Sequence, residues 1–280
     1  MASLKQITSL LNKLYPLHHA DHAWDNVGLL VPTERIIKKI LLTVDLTQDV
    51  CDEAIKGNAD LIIAYHPFLF KKFNRINPND TQHQSLMKLM KQDVGVYCPH
   101  TSVDAAKNGV NDWLVSGLAL KKDILKVDVI EPVQPKGDET EKDVEGVGMG
   151  RYVEFNQSIP LEEMLERIKK SLNLQMVQYA CLKDTFKDKQ IKSVAICAGS
   201  GGGVFSALHK QGKKADLYYT GELSHHEGLA LKEQGKVVVI CGHSNTERGW
   251  LKWLQNKLIA TENVQIVLSQ SDEDVYQPFI

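Results

Sequence analysis

Residues 40–44, 61–65 and 94–98 are short apolar runs, each too brief for a core helix and each followed by apolar residues at helical spacing. Brief apolar runs bounded by turn residues read as buried strands, and strands alternating with helices require right-handed crossovers and a largely parallel sheet covered on both faces. The intervening helices fall near 47–57, 81–91 and 113–118, and an amphipathic first helix over 3–15 opens with the capping-box pair Ser3 and Gln6. Beyond residue 149 the pattern recurs, with strands near 150–155, 174–180, 194–198, 217–219, 237–241 and 264–269 and a helix over 161–172. The intervening 131–145 stretch is rich in proline and charge and reads as a flexible connector. The expected organisation is a first α/β lobe over 1–130, a connector over 131–148 and a similar second lobe over 149–280, packed together as one structural unit.

The two halves also share residues. Ala59-Asp60-Leu61-Ile62-Ile63 matches Ala215-Asp216-Leu217-Tyr218-Tyr219, 156 positions later, and each runs into a histidine-bearing turn. Further on, Cys98-Pro99-His100-Thr101-Ser102-Val103-Asp104 is echoed by Cys241-Gly242-His243-Ser244-Asn245-Thr246-Glu247, so Cys-x-His-x-x-x-carboxylate occurs twice in one context. Each histidine falls where a strand ends and each carboxylate where a helix begins. Open parallel sheets place ligands at the carboxyl ends of strands, so both pairs are expected at the same edge, joined by His66. Imidazole with carboxylate suits zinc, iron or manganese better than calcium, and two pairs plus His66 exceed what one ion requires, so a dinuclear centre bridged by a carboxylate is expected, with one or two ions held per chain. A lone His-x-x-x-Asp pair is more often a surface hydrogen bond; its duplication at matching strand ends argues for a metal. Cys98 and Cys241 read as small buried strand residues.

The net charge of −2 offers no basic field for nucleic acid, so direct contact with it is not expected. The five cysteines are scattered with no Cys-x-x-Cys, which fits a reducing compartment. The N-terminus shows no charged segment leading into an apolar one, and no apolar run approaches membrane-spanning length. A cytoplasmic location is expected, with a mitochondrial or nuclear pool also compatible. The glycines at 199–203 follow a strand and precede a helix without a P-loop lysine, which reads first as a tight turn and second as an anion cradle. His225 and His226, with Glu222 nearby, are open between a site-proximal role and a polar turn; His18, His19 and His22 read mostly as solvated loop residues.

Five motifs in order, Trp24-Asp25-Asn26-Val27-Gly28, Tyr65-His66-Pro67, His100-Thr101-Ser102-Val103-Asp104, Thr220-Gly221-Glu222-Leu223-Ser224-His225-His226 and Gly242-His243-Ser244-Asn245-Thr246-Glu247, strongly resemble the NIF-three-like family, also labelled GTP cyclohydrolase I type 2 homologues. The resemblance implies a two-lobed α/β fold, a toroidal homohexamer and a dinuclear metal site. It carries metal ligation onto His66, Asp104, His243 and Glu247, and a catalytic, water-orienting role onto His100 and Asp25. Many bacterial members have His-His-Pro where this chain has Tyr65-His66-Pro67, which implies weaker occupancy of a second metal or ligation by the tyrosine. Two functions follow as expectations. One is a metal-dependent hydrolase of a small nucleotide-like or phosphorylated substrate; the other is a metal carrier or interaction scaffold, with transcription factors among its protein partners.

Overall fold

In the computed structural model, which describes residues 1–183, 185–259 and 264–276, the apolar runs become strands divided between two sheets. Two compact units form, the first from Met1–Val103 and Trp250–Val275, the second chiefly from Asp104–Gly249. The first unit begins with α1 (Leu4–Leu14), β1 (Gly28–Val31), β2 (Lys39–Thr43), α2 (Gln48–Lys56), β3 (Leu61–Ala64), α3 (Thr81–Lys91) and β4 (Gly95–Cys98). The short α4 (Thr101–Ala105) leads into α5 (Val110–Ser116), β5 (Ile124–Pro132), β6 (Gly148–Pro160), α6 (Leu161–Ser171), β7 (Gln178–Ala180) and β8 (Gln190–Ser200). The second unit continues through α7 (Gly202–Lys210), β9 (Leu217–Glu222), α8 (His225–Glu233), β10 (Val237–Ile240) and α9 (Asn245–Arg248). The chain then returns to the first unit with α10 (Trp250–Ile259) and β11 (Gln265–Leu268).

The first sheet, in the order β1-β4-β3-β2-β11, is parallel except for β1. The second, β5-β6-β8-β9-β10-β7, is mixed, with parallel pairing only at β8–β9 and β9–β10. The expectation of two largely parallel sheets is therefore corrected for the second unit. Its physical reason lies in the supposed connector: β5 and β6 pair in antiparallel register, Val127 opposite Val153, so residues 133–147 are the loop of a hairpin. That loop is anchored, because Val144 and Val147 pack on buried Ala105. The units divide after Val103 and after Gly249, away from the 131–148 boundary, and β11 joins the first sheet by pairing with β2, Ile266 opposite Ile40.

Alternation along the second sheet covers both its faces. Val194, Ile196, Leu217, Tyr219, Val237 and Val239 pack with α5 and α6 residues such as Leu114, Met164 and Ile168, while Ala195, Tyr218 and Val238 pack with Phe205, Leu208 and Leu231 of α7 and α8. In the first unit Leu41, Ile62 and Val96 pack on Val50, Ala54, Leu86 and Leu89 of α2 and α3. Helix boundaries follow local chemistry: Ser3 and Gln6 cap α1 reciprocally, and Thr47 accepts the Val50 N–H at the start of α2.

The repeated Ala-Asp-Leu has one structural job in both units. Asp60 Oδ2 accepts the backbone N–H groups of Lys38 (2.8 Å) and Lys39 (3.0 Å), at the start of the neighbouring strand β2. Asp216 Oδ2 does the same with Lys192 (3.0 Å) and Ser193 (3.1 Å) of β8. A carboxylate that accepts two N–H groups fixes the stagger of two parallel strands, and this stagger sets where the strand ends, with their histidines, emerge.

Candidate functional site

In the first unit, backbone bonds continue the parallel ladder past β3, from Tyr65 N to Thr43 O and from His66 N to Val44 O, and so place His66 just beyond the strand. Its Nδ1 lies 3.0 Å from Asp45 Oδ1. His100 follows β4 with φ of 28°, a left-handed value unusual for a residue with a Cβ. What holds it is Asp25, whose side chain is fully buried: Oδ1 is 2.7 Å from His100 Nδ1, and Oδ2 accepts the Thr101 N–H and hydroxyl. Burial disfavours the charged carboxylate, but the His100 hydrogen bond and charge, with bonds from Thr101 and Asn26, outweigh it and hold the Asp25 pKa below the ordinary range. Asp25 Oδ1 stands where it can accept an Nδ1–H from His100, which fixes the orientation of the ring.

Because the folded pKa is depressed, this charge stabilises the protein fully above the unfolded aspartate pKa of about 3.9, and the contribution is lost as pH falls through the lower folded value. Asp25→Asn is expected to cost about 1.5–3 kcal/mol at pH 7. The difference from the parent chain should shrink in acid, where the parent carboxylate also protonates; urea unfolding at pH 7 and pH 3 measures it, and a difference independent of pH would remove Asp25's charge from the account.

Rings surround this corner. Tyr65, 1% exposed, stands edge-on to His66 (5.2 Å), His100 (5.8 Å) and Trp250 (5.8 Å). Trp24 is 53% exposed yet held, its Nε1 donating to Asp21 Oδ2 at 2.8 Å, with Phe70 and His100 edge-on at 6.0 and 5.7 Å.

In the second unit His243 follows β10 in the same way, with Cys241 N bonded to Thr220 O and Gly242 N to Gly221 O. Its Nε2 is 3.3 Å from Oε1 of Glu247, a carboxylate only 3% exposed, and its Nδ1 is 3.1 Å from Glu222 Oε1. Gly199 makes this pair sterically possible. Its φ is 62°, and a Cβ there would stand 2.8 Å from Glu247 Oε1 and 2.9 Å from His243 Nε2. Asp104 occupies the first turn of α4, as Glu247 does in α9, where the helix dipole favours an anion. Buried Asn111 ties the Asp104 carbonyl (3.0 Å) to the Ala198 N–H (3.0 Å) of β8. Burial drives the Cys197 thiol pKa far up, and the charges of Asp104, Glu131 and Glu247 drive it the same way, so both expected carboxylate ligands act on one spot.

His66, His243 and Glu247 each offer a nitrogen or carboxylate oxygen of the kind divalent ions take. The two copies of the motif differ: His243 pairs with Glu247, whereas His100 pairs with Asp25. Asp45, Asn111 and Gly199 had no sequence signal for these roles, since single polar or small residues carry no periodicity. Cys98 and Cys241 are buried strand-end residues; burial pushes the Cys241 thiol up to about 12, and Cys98 Sγ lies 3.1 Å from the Tyr65 carbonyl. Within the glycine tract, Gly201 caps α7, and a Cβ on Gly202 would meet the Glu227 carboxylate at 2.3 Å, so the chain's own anion stands at that helix start. His225 and His226 are exposed at the start of α8; His18 and His22 are exposed as well, while His19 is buried.

A family model described as DUF34/NIF3 (NGG1p interacting factor 3) matches residues 2–274. The chain belongs to this family. Among its NIF3 relatives, NGG1-interacting factor 3 of Saccharomyces cerevisiae is 44% identical over 285 residues, spanning 98% of this chain and 96% of that protein. A Clostridium acetobutylicum protein named GTP cyclohydrolase 1 type 2 homolog is 31% identical over 280 residues, 98% of each chain. The fold is shared with a hypothetical protein of Staphylococcus aureus, at TM-score 0.83 and 24% identity over 99% of each chain. The family resemblance read from the five motifs is thus borne out. Among the described residues, no helix is long and apolar enough to cross a membrane.

Proposed function

We propose that this NIF3 member binds divalent metal through His66, Asp104, His243 and Glu247 and hydrolyses a small nucleotide-like or phosphorylated substrate, with His100 and Asp25 handling the proton. The observation that carries the reading is the His243–Glu247 pair: a carboxylate 3% exposed, 3.3 Å from an imidazole nitrogen, at a spot that Gly199 leaves clear of side chains. Burying a carboxylate is costly unless a cation compensates it, and mixed imidazole and carboxylate donors suit zinc, iron or manganese. When bound, such an ion supplies Lewis acidity and lowers the pKa of water. The chain's own contribution is positional. Asp25 orients His100 through Nδ1 and stabilises the imidazolium that forms when Nε2 takes a proton. The half-exposed, anchored Trp24 indole beside His100 gives a planar base a face to stack on.

The test is elemental analysis of chain purified without chelator or nickel, followed by turnover of a nucleotide panel after metal reconstitution. Asp104→Ala is expected to lower bound metal and reduce turnover at least 100-fold, the scale on which lost metal activation acts; intact turnover in that variant would exclude the mechanism. A second reading is a metal carrier or protein-interaction scaffold, supported by the yeast relative's name as an interacting factor. Substoichiometric, readily exchanged metal without turnover would favour it.

A further inference from the structure

His243 stands between two carboxylates, with Nδ1 3.1 Å from Glu222 Oε1 and Nε2 3.3 Å from Glu247 Oε1. A neutral imidazole carries one N–H and can donate to only one of them. The other nitrogen then turns a lone pair towards a carboxylate oxygen, and a cation shared between the two would turn that repulsion into attraction. The two acids are not equivalent. Glu247 is buried, whereas Glu222 is 53% exposed at the end of β9, where solvent already stabilises its charge.

The repeat adds a second, independent reason. The offset that carries Ala59 onto Ala215 carries His66 onto Glu222, so the second unit has an acid where the first has one of its expected metal ligands. In the first unit both site histidines engage a carboxylate through Nδ1, His66 with Asp45 at 3.0 Å and His100 with Asp25 at 2.7 Å. Glu222 completes the same Nδ1 arrangement for His243. Its own position is set by the backbone: Gly221 has no room for a side chain, a Cβ there falling 2.6 Å from Gly199 O and 2.7 Å from His243 Cα, which brings the end of β9 hard against the His243 backbone.

We propose that Glu222 is the positioning residue of His243: it accepts the Nδ1 proton, fixes that tautomer and ring orientation, and so aims the Nε2 lone pair at a cation shared with Glu247. A carboxylate behind a metal-binding imidazole raises its basicity, and losing one typically weakens metal affinity 10- to 100-fold. The proposal rests on the metal-binding reading for its purpose, though the tautomer itself does not depend on a metal.

The experiment separates the two. In metal-free, ¹⁵N-labelled full-length chain above pH 8, long-range proton–nitrogen spectra, assigned by comparison with His243→Gln, should show Nδ1 protonated and Nε2 unprotonated. Glu222→Ala should lose that signature and bind zinc 10- to 100-fold more weakly in a chelator competition. Glu222→Gln, whose amide oxygen can accept the same proton, should restore the signature and most of the affinity. Because Glu222 is exposed, an unchanged far-UV dichroism spectrum is expected in both variants and checks that they fold. An Nε2-protonated His243 in the parent chain, or an identical signature in Glu222→Ala, overturns the proposal. A lost signature with unchanged zinc affinity would leave Glu222 as the positioning residue and overturn the metal reading instead.

Discussion

Gly199→Ala is expected to reduce metal affinity by about 100-fold, at least as much as losing an outer partner of a ligand. The added Cβ would fall 2.8 Å from Glu247 Oε1 and 2.9 Å from His243 Nε2, well inside van der Waals contact, so the two groups must separate. Neither can retreat at low cost: the Glu247 carboxylate is buried, and His243 sits above Gly221, which packs against its Cα. The positive φ of 62° adds about 1–2 kcal/mol of backbone strain for any residue with a Cβ. Gly203→Ala is the control from the same glycine tract, because nothing lies within 4 Å of a Cβ there and the residue is already helical. Chelator competition with zinc on both variants, alongside thermal melts, measures the contrast; equal affinity in the two would mean that the His243–Glu247 pair does not hold the ion.

Arg151→Ala should be the most damaging single change to stability, about 3–5 kcal/mol. The Arg151 side chain is 2% exposed, and its guanidinium is fully occupied: Nε lies 2.6 Å from Asp112 Oδ1, Nη2 reaches Asp112 Oδ2 (3.2 Å) and the Ala106 carbonyl (3.0 Å), and Nη1 bonds the Gly148 (2.7 Å) and Gly150 (2.9 Å) carbonyls. Truncation leaves three buried carbonyls and one carboxylate without these donors, each at a desolvation cost. Lysine should not rescue, since a single ammonium cannot reproduce the planar fork. Urea unfolding gives the magnitude, and a loss below about 1 kcal/mol would show that the network is not needed for folding. The same bonds hold the segment after α4 against β6, so the variant should also disturb Asp104, two residues before Ala106.

The secondary structure of the first unit was legible because its signals are local. Ser3 and Gln6, Thr47, and the runs at 40–44, 61–65 and 94–98 each report a cap or a buried strand within a few residues. The β5–β6 hairpin was hidden for the opposite reason. Its loop is polar and charged, and β5 is largely exposed, so the 131–145 composition resembled a linker although Val144 and Val147 anchor it. The place of β11 could not be read either, since a strand's partner is decided by burial against residues more than 200 positions away.

The site divides along the same line. The sequence alone determined the family, the repeat, and the placement of His100, His243, Asp104 and Glu247 at strand ends and helix starts, because the number of residues between a strand and the next helix sets these positions. Only the tertiary structure decided which groups meet: His100 with Asp25 across 75 positions, His66 with Asp45, His243 with Glu222, and Gly199 beneath the His243–Glu247 pair. Hydrogen-bond partners and steric clearances are set by three-dimensional approach within a few ångströms, and no spacing along a chain encodes such distances.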